Sequence, residues 1–204
     1  MGIAAIVGTQ RSQQATAVCQ TSLAPSSIEE EGSMQKAVTP PSTVRWGTNP
    51  AVGVLRTLTL MATGKVHFHP EDIHKILETD DGARYRVFRH VVVNRQAPPP
   101  TALFIVRFTV KGMTVRQNIR FSRLPMFVFM GFAGFRSKYW CVDDTTGAYQ
   151  GVYEWQTHAH AEAYVASIAL RFMTNRSIPG SLSYRILDRA SDKPWPITLY
   201  RQEV

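Results

Sequence analysis

The sequence predicts an α+β fold in which strands and helices follow the order βαββαβ between residues 101 and 190. Two aromatic-rich runs flank a short polar turn in "GFRSKYWCVDDTTGAYQGVYEW" (134–155), as in a β-hairpin. A stripe of apolar residues at helical spacing follows at 158–175. A β-branched and aromatic run at 101–110 precedes the hairpin and predicts the first strand.

The chain has 204 residues, of which 44% are hydrophobic, so it can bury the core of one domain with a small companion. Its longest apolar stretch, 126–135, is shorter than the ~20 residues that cross a bilayer. The N-terminus lacks the basic region and cleavage site of a secretory signal. Cys19 and Cys141 do not make a disulfide framework. We therefore expect a cytoplasmic protein without a membrane segment.

The first part of the chain divides into a tail and a small ordered region. Residues 1–45 are rich in Gln, Ser, Thr, Ala and Pro, which predicts a flexible tail that is dispensable for folding. Residues 46–96 predict a small α/β extension. The stretch "QAPPP" at 96–100 predicts a stiff linker between this extension and the main domain.

Three elements are expected within the extension. The stretch "VGVLRTLTLMATG" (52–64) alternates loosely between apolar and polar residues, which predicts a strand. In "HPEDIHKILET" (69–79), Pro70 and two acidic residues give the start of a short helix. After the turn "DDG", residues 84–94 predict a second strand.

The main domain is expected to contain two helices and four strands. Pro125 is expected to end or bend the first helix, and Thr157 is the expected N-cap of the second. The elements are a strand at 101–110, a helix at 114–124, the hairpin, a helix at 158–175 and a strand at 181–188. Residues 191–204 predict a C-terminal tail.

The βαββαβ order is the ferredoxin-like plan, which supports many unrelated functions. Two motifs narrow the choice of family within this plan. The first is Gly134-Phe135-Arg136-Ser137-Lys138-Tyr139-Trp140. The second is Gly151-Val152-Tyr153-Glu154-Trp155, which is followed by an Ala-Glu-Ala-Tyr helix at 161–164. In these residues the chain resembles the dimeric α/β-barrel family of small monooxygenases. The resemblance covers roughly residues 101–188, and Ala133 stands where the family often has proline.

The resemblance implies a homodimer in which two sheets pair into a barrel. Each subunit would hold a pocket between its helices and its own sheet. The family includes enzymes that oxidise phenolic polycycles to quinones without metal or flavin, haem-degrading enzymes, polyketide cyclases and proteins without a known activity. We therefore expect a cofactor-independent monooxygenase or related cyclase that acts on an aromatic or polyketide-like small molecule.

The aromatic residues of the hairpin are the first candidates for a binding site. Strand alternation places Tyr153 and Trp155 on one face of their strand, and Trp140 shares a face of its strand with Lys138. With Tyr164 from the following helix, these rings predict a cage for a planar substrate. The alternative is that they pack the core and the dimer interface.

Three residues are candidates for catalysis: His158, Tyr153 and Arg107. His158 and His160 occupy the first turn of a helix, where the positive end of the dipole favours the neutral imidazole, a general base for a phenol. Arg107 interrupts an apolar run and needs a partner, for which Glu154 is the expected residue. A paired Arg107 could polarise a substrate oxygen.

The positive charge of the chain is concentrated in one segment. Residues 101–150 hold seven Lys and Arg and two Asp, a net charge of +5 out of a total of +8. Arg116, Arg120 and Arg123 share one face of the first helix and would receive a carboxylate or phosphate of the substrate, or form a solvated face. The second hypothesis is therefore a non-enzymatic dimeric protein that binds an anionic ligand or partner through this basic surface.

The sequence argues against nucleic acid, nucleotides and metals as partners. The strand "AYQGVYEWQ" lacks the basic-Gly-aromatic signature of RNA recognition motifs. Gly-rich phosphate loops and Cys-x-x-Cys pairs are missing from the sequence. His67, His69, His74 and Glu71 are the best metal candidates, but they have no recognised ligand spacing. We expect no cofactor and no metal.

Overall fold

The computed structural model describes residues 49–189 and 194–201 in full, together with the backbone of a short strand at 35–36. Apart from that strand, the predicted tail at 1–45 lies outside the described residues. The described residues form an α+β fold with a curled antiparallel sheet and helices packed against it. The expected α+β class is therefore confirmed. Within this part of the chain, no helix has the length and apolar character that crossing a bilayer requires.

The described residues contain nine strands and five α-helices. The strands are β1 (Gln35–Lys36), β2 (Val66–Phe68), β3 (Ile76–Thr79), β4 (Arg84–Val93), β5 (Ala102–Phe108), β6 (Phe135–Val142), β7 (Tyr149–Trp155), β8 (Ser183–Asp188) and β9 (Ile197–Tyr200). The helices are α1 (Pro50–Ala62), α2 (Val115–Phe121), α3 (Arg123–Phe129), α4 (His158–Val165) and α5 (Ile168–Arg176), with a 3₁₀ turn at Pro70–Asp72.

The strands form one sheet in the order β1-β8-β5-β7-β6-β4-β3-β9, and β2 pairs with the end of β4. All of these pairings are antiparallel. Because β4 pairs with β6, strands from both sides of the expected linker at 96–100 share this sheet. The expected C-terminal tail contributes β9, which pairs with β3.

The curl of the sheet brings distant strands together across one face. Three strands separate β5 from β3, yet Arg107 on β5 donates a hydrogen bond of 2.6 Å to Asp81 in the β3–β4 turn. Asp80, which precedes Asp81 in the chain, accepts a hydrogen bond of 3.1 Å from Arg185 on β8. Such contacts require a concave sheet, with the β3–β4 turn folded over the face of β5 and β8.

The concave face is buried within a single chain. Leu103, Ile105 and Val152 are fully buried there and pack with residues of β3 and β4. Partly buried side chains from β9 and Trp195 close the same cluster. This face therefore does not need a second subunit to cover it.

The convex face carries the helices and the larger core. Tyr153 and Trp155 both point to this side, as strand alternation predicted, and pack with Phe104 and Tyr164. Phe135 precedes Lys138 by three residues, so regular alternation would place the two on opposite faces. A bulge between Phe135 and Ser137 shifts the register of β6, so that Phe135 also belongs to the convex core.

The region expected to be the first strand of the extension is helix α1. Its start is set by Asn49, whose side chain accepts hydrogen bonds from the backbone of the first turn, and by Pro50 at the first helical position. Gly53 of α1 is buried against Val128 and Phe132 of the α3 region. The strand predicted from the loose alternation is wrong, because this tertiary contact outweighs the β-branched content of the segment.

The prediction of a helix at 69–79 is also wrong. A single 3₁₀ turn follows Pro70, and His74 then adopts a positive φ of 74°, which ends the helical path. Ile76 and Leu77 instead join β3 and pair with β4 through the short turn at 80–82. The strand expected at 84–94 is confirmed as β4.

Both helices of the main domain are divided in two. Ser122 separates α2 from α3, and Pro125 lies in the first turn of α3, where a missing N–H costs little. The helix expected at 158–175 is interrupted before Ser167, whose side chain caps the start of α5. Thr157 caps α4 as expected, and β5 and β8 lie within their expected ranges.

Candidate functional site

A cavity of about 410 Å³ lies between the convex face of the sheet and the helices α2, α3, α4 and α5. Its walls are almost entirely apolar and aromatic, which is typical of small-molecule sites. The lining side chains include Phe129, Lys138, Trp140, Tyr153, Tyr164 and Arg176.

Adjacent strands bring the polar groups of the cavity together. Lys138 on β6 pairs directly with Tyr153 on β7 in the register of the hairpin. Because both residues point to the convex face, the Lys138 Nζ donates a hydrogen bond of 2.5 Å to the Tyr153 hydroxyl. The Tyr153 hydroxyl lies 2.9 Å from that of Tyr164, which α4 places over the sheet. An amine and two phenols therefore form a chain in the cavity wall.

The amine of Lys138 is enclosed by aromatic rings. Its Nζ lies 4.4, 4.3 and 4.1 Å from the ring centroids of Phe129, Trp140 and Tyr153. Only 5% of the residue is exposed. Among the described residues, Lys138 has no carboxylate within ion-pair distance. A buried lysine in this setting is unusual, because burial of an unpaired charge is costly.

Burial sets the protonation of all three groups. It lowers the pKa of Lys138 well below its usual value, and the nearby Arg89 guanidinium lowers this pKa further. Burial also raises the pKa of Tyr153 and of Tyr164. The three ring faces act in the other direction, because they stabilise an ammonium by about 0.5–2 kcal/mol each. We expect desolvation to dominate, since it applies to a fully buried group.

A glycine provides the space for this chain of groups. A Cβ at Gly151 would lie 2.7 Å from a ring carbon of Tyr153 and 3.5 Å from the Lys138 Cε. Contacts below 3.0 Å do not occur for real Cβ atoms, so a side chain at this position would displace the Tyr153 ring. Gly151 therefore allows the amine and the phenol to share the floor of the cavity.

Apart from the Cys141 thiol, the ionisable side chains of the cavity wall are basic or phenolic among the described residues. The described residues that line it include Lys138 and Arg176, but no Asp, Glu or His. Arg176 lies near the opening, with its guanidinium 3.7 Å from the ring centroid of Phe121. Residues 109–142, which supply much of the wall, contain no acidic residue. The cavity is therefore suited to an apolar ligand that carries an anionic or electron-rich oxygen.

The opening of the cavity has an apolar rim. Leu124, Ile168 and Phe172 line the cavity and are 67%, 52% and 46% exposed. The Phe172 ring stacks on Phe121, with centroids 6.3 Å apart. Large exposed apolar side chains at a cavity mouth favour the entry of an apolar ligand.

Some of the predicted site residues meet in this cavity. Tyr153, Trp140 and Tyr164 line it together. Trp155 is adjacent but fully buried in the core, stacked near Tyr153 and Tyr164, and is not part of the lining. Its indole Nε1 has no hydrogen-bond partner among the described residues.

The other predicted residues lie elsewhere. His158 is at the partly exposed start of α4, where its Nδ1 lies 2.8 Å from Asp188. Arg116 and Arg120 are exposed on α2 and do not line the cavity. The structure brings none of these three side chains to Lys138.

Arg107 lies on the concave face, away from the cavity. The prediction that Glu154 is its partner is wrong. The guanidinium forms an ion pair with Asp81, and its Nε donates a hydrogen bond of 2.7 Å to Gln150. The register of β5 and β7 places Gln150 opposite Arg107 and Glu154 opposite Leu103, too far along the strand. Glu154 instead accepts hydrogen bonds from Ser137 and Trp195.

The histidines near the 3₁₀ turn form a different group from the one expected. His69, Asp72 and His90 place potential ligand atoms within 4.8 Å of one another, whereas His67 and His74 are not part of this group. Burial lowers the pKa of His90 to about 4, so it is neutral at physiological pH. Asp72 already binds Lys75, and His69 contacts Arg95, so two cations occupy the positions around these atoms.

Lys138 is the site residue that sequence reasoning missed. It was named only for its place in a motif and on the strand face of Trp140, and not as a site residue, because a charged residue on a strand is usually solvated. The available signal was its position two residues before Trp140, which places both side chains on one face of β6.

Comparison with known proteins leaves the function to be argued from the site. No protein-family model matches the chain, and no curated protein sequence matches it.

Proposed function

We propose that this protein binds an aromatic or polyketide-like small molecule in the cavity and acts on it as a cofactor-independent monooxygenase or related cyclase. The observation that carries the proposal is the amine of Lys138, which is buried in an aromatic cavity beside the Tyr153 hydroxyl and has no carboxylate partner among the described residues. Lys138 takes the role of general base that His158 was expected to have. Tyr153 keeps a polar role, and Trp140 and Tyr164 hold the ligand.

The proposed reaction starts with a proton transfer. A phenolic hydroxyl of the ligand gives its proton to the neutral Lys138 Nζ, which forms an ammonium and a phenolate. The three aromatic rings around Nζ stabilise the ammonium, and the phenolate supplies the missing counter-charge. The cavity thus disfavours the charged lysine when it is empty and accepts it when a phenol is bound.

The phenolate is the electron-rich form that reacts with O₂. Oxidation of a ring CH₂ group to a carbonyl uses one molecule of O₂. One oxygen atom enters the product, and the other leaves as water with the two hydrogens of the carbon. The protein contributes the base, the stacking surface and the apolar surroundings that keep water from the phenolate. Arg176 at the opening attracts anionic ligands.

The arrangement of the main domain supports the proposed family. The strands β5 to β8 lie side by side in the order β8-β5-β7-β6, with helices after β5 and after β7. A ferredoxin-like unit has this order, with its first strand between the fourth and the third. We therefore propose membership of the dimeric α/β-barrel family for residues 101–190.

The homodimer stays a prediction of the resemblance. The concave sheet face does not require a homodimer, because it is buried within one chain. The exposed Val52, Leu55 and Leu58 of α1 supply an apolar surface that a second copy would cover. Static light scattering at micromolar concentration should give twice the mass of the chain, and a monomer would contradict the prediction.

The first test of the proposed function is binding of 2-naphthol, an aromatic phenol. Bound naphthol should show the red-shifted absorbance of the naphtholate at a pH where the free compound stays neutral. Lys138→Met should abolish the red shift while binding persists. Lys111→Met removes an exposed lysine and is the matched control, with no expected effect. Failure of the wild type to ionise bound naphthol would exclude Lys138 as the base.

The second test is oxidation of anthrone, whose CH₂ group flanked by two aromatic rings oxidises to anthraquinone. Wild type should consume one O₂ per quinone formed, without added metal or flavin, and Lys138→Met should lose this activity. Binding without oxygen uptake for a range of phenols would favour the second candidate, a non-enzymatic binding protein. The exposed Arg116, Arg120 and Arg123 on α2 and α3 are the observation that favours this candidate.

A further inference from the structure

Lys138 has a second chemical capacity that the base role does not use. A neutral lysine amine is a nucleophile toward carbonyl carbons, and desolvation in an apolar pocket is one established way to activate it. The amine of Lys138 lines a cavity with room for a ligand, and in the part of the chain that the structure describes no carboxylate lines that cavity with it. An amine held by an ion pair would stay protonated and inert, and Lys138 has no such ion pair among the described residues.

We infer that Lys138 captures aldehydes and ketones with an aromatic or apolar body as imines. The inference rests on the ligand cavity of the proposed function, but it does not depend on any reaction with O₂. The ligand class follows from the walls: aromatic rings hold the body of the ligand, and the amine and the two phenols are placed to meet a carbonyl group.

The step balances without an external oxidant or reductant. The lone pair of Nζ forms a bond to the carbonyl carbon, and the carbonyl π pair moves to oxygen, which takes a proton that the amine loses. The resulting hydroxyl leaves as water with a proton from the Tyr153 phenol, while the nitrogen lone pair forms the C=N bond. The iminium then returns one proton to Tyr153. The net change is amine plus carbonyl to imine plus one water.

The hydrogen bonds around Tyr153 suit the acid role. The Lys138 Nζ donates to the Tyr153 oxygen, which leaves the phenol hydrogen free to point to the Tyr164 hydroxyl or to a hydroxyl of the ligand. Tyr153 is therefore close to the reacting nitrogen of Lys138. It can protonate the hydroxyl group that leaves the carbon to which this nitrogen has bonded. The raised pKa of Tyr153 keeps its proton in place until that step.

The surroundings also favour the imine once it has formed. Imines hydrolyse in water, and a cavity walled by Phe129, Trp140 and other apolar side chains limits access of water to the C=N bond. In a polyketide-like ligand with two carbonyl groups, the iminium forms at one of the carbonyl carbons. It would accept the electron pair of the ligand carbon next to it. This would connect Lys138 to the formation or cleavage of carbon–carbon bonds, the chemistry of a cyclase.

The test is reductive trapping with 2-naphthaldehyde and cyanoborohydride, followed by peptide mass mapping. At about pH 6.5, roughly four units below the usual lysine pKa, solvated lysines react slowly because they are protonated. We expect the naphthylmethyl adduct on Lys138, with Lys65 and Lys111 as exposed internal controls that stay largely unmodified. A chain without an adduct on Lys138, or with equal labelling of the three lysines, would overturn the inference.

Two variants refine the result. Tyr153→Phe should slow labelling on the order of 100-fold, the range of a lost general acid. Lys138→Arg should remove the adduct, and circular dichroism shows whether this variant is folded. If naphthol is ionised in the cavity but no adduct forms, the imine inference is wrong and the proposed function stands. If the adduct forms but naphthol stays neutral, the nucleophile is supported and the base role is not.

Discussion

The hydroxyl of Tyr164 on α4 lies 2.9 Å from the hydroxyl of Tyr153 on β7, so that two buried phenols join a helix to the sheet. Tyr164→Phe keeps the ring and removes this hydrogen bond. We expect a loss of about 1 kcal/mol in the free energy of unfolding, measured by urea denaturation. Tyr153→Phe should cost more, because it also leaves the Lys138 amine without its acceptor. An equal or smaller loss for Tyr153→Phe would show that the Lys138 contact contributes nothing.

The lowered pKa of Lys138 predicts how stability changes with pH. The unfolded chain binds a proton on this residue below about pH 10.4, whereas the folded chain does not until the pH falls to the lower folded value. Burial of Lys138 therefore destabilises the fold increasingly as the pH falls through this window, by up to about 1.4 kcal/mol per unit. The stability of wild type relative to Lys138→Met should rise from neutral pH toward pH ~10. A constant difference would mean that Lys138 stays protonated when folded.

Trp155 and Trp140 should respond differently to truncation. Trp155 is fully buried outside the cavity lining, so Trp155→Ala should cost about 3–5 kcal/mol of stability. Trp155→Phe should cost much less, since its indole Nε1 has no partner to lose among the described residues. Trp140 lines the cavity, and Trp140→Ala should weaken naphthol binding in the folded protein. Loss of naphthol affinity in folded Trp155→Phe would instead assign Trp155 to the site.

The contact between Gly53 and Gly131 predicts a position that does not accept a side chain. A Cβ on Gly131 would lie within 3.0 Å of the Gly53 carbonyl and of the Thr57 hydroxyl, so α1 would have to move. We expect Gly131→Ala to cost about 1–3 kcal/mol in chemical denaturation. Thr59→Ala, at an exposed position of α1, should change stability by less than about 0.5 kcal/mol. Similar values for the two variants would show that α1 shifts freely.

The sequence predicted the elements whose signals are local. The hairpin of β6 and β7 follows from two aromatic-rich runs on either side of a polar turn, and Thr157 marks the start of α4. Helix α1 was predicted as a strand because its composition is ambiguous. The contacts that decide it, such as that of Gly53 with Val128, join residues far apart in the chain.

The sequence predicted only part of the candidate site, because again only the local signals could be read from it. Tyr153, Trp140 and Tyr164 could be found, because strand alternation and helical spacing place aromatic rings on one side of the sheet. The burial of Lys138 depends on how α3 packs over β6, which periodicity does not contain. The partner of Arg107 depends on the curl of the whole sheet, which brings Asp81 to it, so the choice of Glu154 from the same sheet was wrong.

The curl also has a consequence for how the chain reaches this shape. Asp80 and Arg185 meet across the concave face although 105 positions separate them in the chain. Contacts of such separation form slowly, because the intervening chain must be ordered first. During synthesis, one edge of β5 would thus stay unpaired until β8 has left the ribosome. Nascent chains that stop before β8 should be the aggregation-prone species of this protein.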